Sequence, residues 1–199
     1  MKIKLLLFPL LLAVLLACDV AVPFVQSQTE VNFQQVIGFD FAEQIPQIPT
    51  GDRSATTHLF IHKYPFPTDG CVTGLTFLND SDTGSEPFTL LILRPADGGW
   101  QVIHRVDIES EDQTPAKSGL VMVRFDAALC AKKGDMFAHW QFAETGPIPL
   151  NDEKSSVEGL SFGKFGISTE EIQAGQVIQN QGFSGGRDYF INVIFETTP

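Results

Sequence analysis

A chain of 199 residues with 43% apolar side chains is long enough to bury a core without metals or a dense disulfide framework. Its 24 Asp and Glu against 13 Lys and Arg give a formal charge of −11, which repels phosphate backbones and argues against a nucleic-acid partner. Seventeen phenylalanines against two tyrosines and two tryptophans place most of the aromatic surface in the core.

The first element is the N-terminal stretch. Lys2 and Lys4 precede the apolar run 5–17, the layout of a secretory signal and too short to cross a bilayer. Its end, Leu15-Leu16-Ala17-Cys18, resembles the lipobox of bacterial lipoproteins. That resemblance implies cleavage before Cys18, acylation of Cys18 and attachment to a membrane of the bacterial cell envelope through the lipid. The alternative is an ordinary signal, cut after Ala17 or Ala21, and a secreted product. Loss of residues 1–17 removes Lys2 and Lys4 and takes the formal charge from −11 to −13. Residues 18–30 then read as lipidated cysteine and tether, and 31–199 as one domain.

Beyond residue 30 the chain is a succession of short apolar segments separated by turn residues, the pattern of an all-β protein. Strands are expected over 31–41, 59–64, 71–78, 88–94, 100–106, 120–125, 136–142, 160–162 and 189–196. The loop 44–52 holds Pro46, Pro49 and Gly51-Asp52, and Pro95-Ala-Asp-Gly-Gly99 reads as a turn between two strands. The stretch 127–131, with Cys130, reads as a link. Ser168 and Glu171 have capping-box spacing, enough for one turn. Regular strand spacing of this kind indicates an antiparallel β-sandwich or barrel. In 189–196 both alternating sets are apolar apart from Asn192 and Glu196, which suits a central strand and obliges Asn192 to find a partner if buried.

Three cysteines leave one to explain in an exported protein. With Cys18 lipidated or removed, Cys71 and Cys130 are free to pair in an oxidising compartment, the alternative being two buried thiols.

The order Gly70-Cys-Val-Thr-Gly-Leu-Thr-Phe77, Phe88-Thr-Leu-Leu-Ile-Leu-Arg-Pro95, Lys133-Gly134-Asp135 and Arg187-Asp-Tyr-Phe-Ile-Asn-Val-Ile-Phe195 resembles a poorly characterised group of extracellular β-sandwich domains. The resemblance implies an antiparallel sandwich of jelly-roll character over about 58–196, and carries no activity with it. In the Gly134-Asp135 pair the glycine suits an open turn and the aspartate can accept from nearby amides.

Candidate chemistry is sparse. Asp80, Asp82 and Glu86 bring oxygen ligands together in one turn, a weak calcium pattern that a polar hairpin explains as well. His58 and His62 have the spacing of a helical metal pair but sit on a strand pattern, and His104 and His139 fall on other strands. Trp100 follows a turn and is placed to stack on a sugar ring, while Phe142 on its own face marks Trp140 as core. The acid pairs Asp152–Glu153 and Glu170–Glu171 would serve glycoside hydrolysis only across a cleft. No serine-nucleophile or phosphate-loop motif occurs. The expectation is therefore a non-enzymatic envelope lipoprotein without a cofactor, a binding or structural module for a glycan or another envelope protein. A glycosidase-like hydrolase using paired carboxylates is the alternative.

Overall fold

The described residues form thirteen strands, and every pairing between them is antiparallel. The computed structural model describes residues 33–43, 58–79, 86–109, 119–141, 146–151, 161–186 and 188–197, within a compact unit of residues 31–199. Cys18, Asp80 and Asp82 lie outside the described residues. Among those described there is no helix.

The smaller sheet has the order β1–β13–β3–β6, from β1 (Gln34–Gly38), β13 (Ile191–Thr197), β3 (Gly70–Leu78) and β6 (Leu120–Ala131). The larger has the order β10–β5–β4–β7–β2–β9–β11. Its strands are β2 (His58–Ile61), β4 (Phe88–Ala96), β5 (Gly99–Ile108), β7 (Met136–Gln141), β9 (Ser161–Phe165), β10 (Val177–Gln179) and β11 (Phe183–Gly185). A two-residue ladder joins β8 (Leu150–Asn151) to β12 (Asp188–Tyr189).

The main core lies between the sheets, because alternate residues of each strand face inward. Val72, Leu75, Phe77, Val121, Val193 and Phe195 of the smaller sheet meet Phe60, Phe88, Leu90, Ile92 and Phe137 of the larger. The fold is thus an all-β antiparallel sandwich. The larger sheet also buries its outer face. Leu59, Ile61, Leu91, Leu93, Ala138 and Trp140 cluster there with Phe162 and Ile178 of the same sheet and with Ile167 and Ile172 from the segment after β9. Burial on both sides explains why Phe88 to Leu93 is apolar apart from Thr89, without the alternation of a half-exposed strand.

Two turns show the local chemistry. Asp97 and Gly98 close the β4–β5 hairpin, with Gly98 at φ 76°. Gly134, at φ 86°, opens the turn before β7, and Asp135 accepts from the Lys132 amide at 2.8 Å and from Arg94 at 2.8 and 2.7 Å.

The sequence reading differs from the structure at three places. The 127–131 link is strand: β6 continues to Ala131, with Phe125 to Ala128 bulging opposite Thr73 alone. The run 189–196 breaks at Phe190 into β12 and β13. Strands β10 and β11 were not expected, since their sequences are short and polar. As the two-faced apolar pattern required, β13 is central, paired with both β1 and β3. Asn192 is buried and donates to the Phe39 carbonyl at 2.6 Å. Ser168 and Glu171 form one capped turn: the Ser168 amide donates to Glu171 Oε2 at 2.9 Å and the Glu171 amide to Ser168 Oγ at 3.4 Å.

Candidate functional site

The outer face of the larger sheet carries an open cleft of about 370 Å³, lined by Pro87, Phe88, Arg105, Asp107, Glu109, Trp140 and Thr169. Strand register sets its floor. Thr89 on β4 lies opposite Asp107 on β5 and opposite Trp140 on β7. Arg105 lies one outward position along, opposite Leu91. Thr169 reaches the cleft from the turn that follows β9. Phe88 turns its ring inward against Phe77, so it meets the cleft with backbone.

The polar wall is pre-organised. Arg105 donates to both oxygens of Asp107, at 3.0 and 3.1 Å, and the Thr89 hydroxyl donates to Asp107 Oδ1 at 2.7 Å. The Asp107 side chain nevertheless keeps 47% of its surface exposed, against 18% for Arg105. A fixed carboxylate and guanidinium on β5 thus share the cleft with an indole on β7 that is only 7% exposed, the two separated by Thr89 of β4, with Glu109 and Thr169 on the rim. The polar pair can exchange hydrogen bonds with the hydroxyls of a polyol, and the edge of the indole that reaches the cleft offers an apolar contact. Sequence reasoning passed over Arg105, Asp107 and Glu109. The available signal was their spacing of two along a strand, which puts three charges on one face.

The residues singled out from sequence are scattered. Trp100 is half-buried, tilted against Phe162 at 4.3 Å in the outer core, and does not line the cleft. Glu86 is half-buried just before β4. Glu170 and Glu171 sit side by side in one turn. Glu171 accepts from Lys164 at 2.9 Å, and the Lys164 and Ser168 bonds hold its carboxyl below the usual range. Asp152 and Glu153 lie outside the described residues. Among those described, no group of three His, Cys, Asp or Glu side chains is placed to hold a metal ion. Cys71 and Cys130 form a disulfide across the β3–β6 ladder, with Cα atoms 3.9 Å apart and a sequence separation of 59.

Beneath the cleft, on the inner face, runs a chain of buried polar groups. His62 Nε2 and His139 Nδ1 are 2.9 Å apart. His62 Nδ1 faces Asp188 Oδ1 at 3.6 Å, an electrostatic contact longer than a hydrogen bond. Asp188 accepts from the Tyr64 hydroxyl at 2.5 Å and from the Tyr189 amide at 2.9 Å. At the other end the Gln141 amide nitrogen approaches His139 Nε2 at 3.4 Å. The same Gln141 amide is clamped to Ile148, donating to its carbonyl at 3.3 Å and accepting from its amide at 2.9 Å. His139 thus meets His62 in the core, whereas His104 lies apart, its Nε2 2.8 Å from the Cys130 carbonyl.

One proton arrangement suits the short contacts, although His62 Nδ1 has no hydrogen-bond partner. Gln141 donates to His139 Nε2, His139 Nδ1–H donates to His62 Nε2, and His62 Nδ1–H points at the Asp188 carboxylate. Both imidazoles are then neutral. Burial pulls His62 below its usual 6.5, against the opposing pull of the Asp188 carboxylate. Burial disfavours ionised Asp188, but His62, the Tyr64 hydroxyl and the Tyr189 amide outweigh it and leave its carboxyl below the usual range.

No protein-family model matches the chain. No curated protein matches it, and no solved structure does.

Proposed function

We propose that the protein is a non-enzymatic binding module of a bacterial envelope, anchored by a lipid on Cys18 and binding a neutral glycan in the cleft of its larger sheet. The observation that carries the reading is the carboxylate of Asp107, held by Arg105 and Thr89 yet open to a cleft that Trp140 also lines. The anchor rests on the lipobox resemblance at 15–18 and on the paired state of Cys71 and Cys130, which leaves Cys18 as the odd cysteine. The jelly-roll reading is supported by two packed antiparallel sheets, β1–β13–β3–β6 against the central strands β2–β7–β4–β5 of the seven-stranded sheet.

A glycan array followed by calorimetry on the whole chain tests the cleft. Substituting Asp107→Ala removes the acceptor and releases Arg105, and should weaken sugar binding at least about tenfold, the value of one hydrogen bond to a charged group. Failure of every sugar to bind, or equal affinity in the variant, rejects the cleft.

A glycosidase-like hydrolase draws on the same place, because Asp107 and Glu109 both line the cleft. These acids are two residues apart on one side of the cleft, however, whereas hydrolysis needs acids flanking the scissile bond. Reducing-end release from an oligosaccharide panel, abolished by Glu109→Gln, would favour the hydrolase over the binding module.

A further inference from the structure

Three charged residues line the cleft, Arg105, Asp107 and Glu109, spaced by two along β5 and its exit. Arg105 is the one cation among the lining residues, and its charge is already answered. It gives Asp107 two hydrogen bonds, at 3.0 and 3.1 Å, and keeps only 18% of its side chain exposed. Thr89 holds the same carboxylate from β4 at 2.7 Å. An anionic ligand would have to displace Asp107 from this pair to reach the guanidinium.

Glu109 stands outside the pair. It is exposed, one residue past the end of β5. The ion pairs among the described residues do not include it: Arg105 is bound to Asp107, Lys164 to Glu171 and Arg94 to Asp135. The cleft is thus left with one net negative charge, carried on its rim. An ionised carboxylate only accepts hydrogen bonds, so Asp107 and Glu109 both ask the ligand for donors. Sugar hydroxyls and a protonated amine supply them. A uronate carboxylate or a sulfate ester brings acceptors and a second negative charge instead.

We propose that Glu109 determines the specificity of the cleft as a charge filter, which admits neutral sugars and amino sugars and turns away uronates and sulfated sugars. The inference rests on the glycan-cleft reading and deepens it. Glu109 acts through its field. A ligand carboxylate about 7 Å from it, at an effective dielectric constant between about 20 and 80, binds about three- to fiftyfold more weakly than its neutral counterpart. Salt screens this repulsion, since the Debye length falls from about 30 Å at 0.01 M to about 3 Å at 1 M.

The test is calorimetry on the full chain with cellohexaose, maltohexaose, the uronate made from each by oxidation at C6, and the glucosamine hexamer. At about 0.01 M salt each uronate should bind at least about threefold more weakly than its neutral parent, and the gap should close toward 1 M. The glucosamine hexamer should bind at least as tightly as cellohexaose while its amines are protonated, and lose that advantage as pH rises through their titration. Glu109→Gln should bring the ratio of neutral to uronate affinity toward one, and Glu109→Lys should invert it. Asp126→Asn removes the same charge from an exposed position on β6 and should leave the ratio in place, which separates the field of the rim from the acidity of the whole chain. Uronates that bind as well as their parents at low salt, or a ratio that Glu109→Lys does not change, overturn the filter and leave the cleft reading standing. Failure of every one of these sugars to bind overturns both.

Discussion

Replacing Asp188 by alanine tests whether the interior polar chain is a stabilising unit. Asp188 is 1% exposed and sits where β12 meets the loop carrying His62 and Tyr64. Its removal leaves two donors in the core without their acceptor, the Tyr64 hydroxyl and the Tyr189 amide, and takes away the charge facing His62. Each lost bond to a charged group is worth about 1.5–3 kcal/mol. Relief of the carboxylate's own burial offsets part of this, so the net cost is about 3–5 kcal/mol. For a domain of this size that lowers the melting temperature by roughly 10 °C. Asp188→Asn keeps one acceptor oxygen and should lose about half as much. The pH dependence follows from two depressed pKa values. The Asp188 contribution is complete above its unfolded value, near 3.8, and is lost as pH falls through the lower folded value. The His62 contribution is complete above 6.5 and is lost as pH falls below it. The alanine variant should therefore lose the lower of the two acid transitions. Calorimetric melts across pH provide the measurement. A variant that melts within about 2 °C of the parent at neutral pH would refute the accounting.

Three further outcomes are expected. Reducing Cys71–Cys130, which closes a separation of 59 residues, should cost about 4 kcal/mol in urea titrations, and thiol labelling of the unfolded, unreduced chain should find neither residue free. Deleting residues 189–199 removes β13 from between β1 and β3 and should abolish cooperative melting, whereas a retained transition would show the strand to be dispensable. Cys18→Ala should leave unprocessed precursor or release the protein from membranes, and intact mass of the parent should exceed the polypeptide starting at Cys18 by its acyl groups. A soluble parent that starts downstream of Cys18 contradicts the anchor.

The strands of the main core were legible because Cys71 to Leu78 alternates and because 88–94 and 189–196 are apolar on both faces. The far half of β6 was not, because Phe125 to Ala128 bulge opposite one residue and erase the period of two before Cys130. Strands β8, β10, β11 and β12 are two or three residues long, too short to show any period. The cleft was hidden for a different reason. Thr89, Asp107 and Trp140 share a row only through the register of three strands, and register between distant segments leaves no mark in a single sequence. The same holds for His62 and His139, which are 77 residues apart, so that spacing could name the histidines but not join them.

The bulge in β6 bears on how the chain can vary. Downstream of the four residues opposite Thr73, the ladder resumes at Val72–Leu129, and the Cys71–Cys130 bond fixes that register covalently. An added or missing residue between 125 and 128 would therefore be absorbed where it occurs, without turning the inward side chains of the rest of β6 to solvent. Because β6 is the last strand of its sheet, no neighbour on the far side would have to follow the change. This short stretch is where homologous chains should differ in length, and where a peptide epitope can be grafted while Val121 and Val123 hold their places in the core.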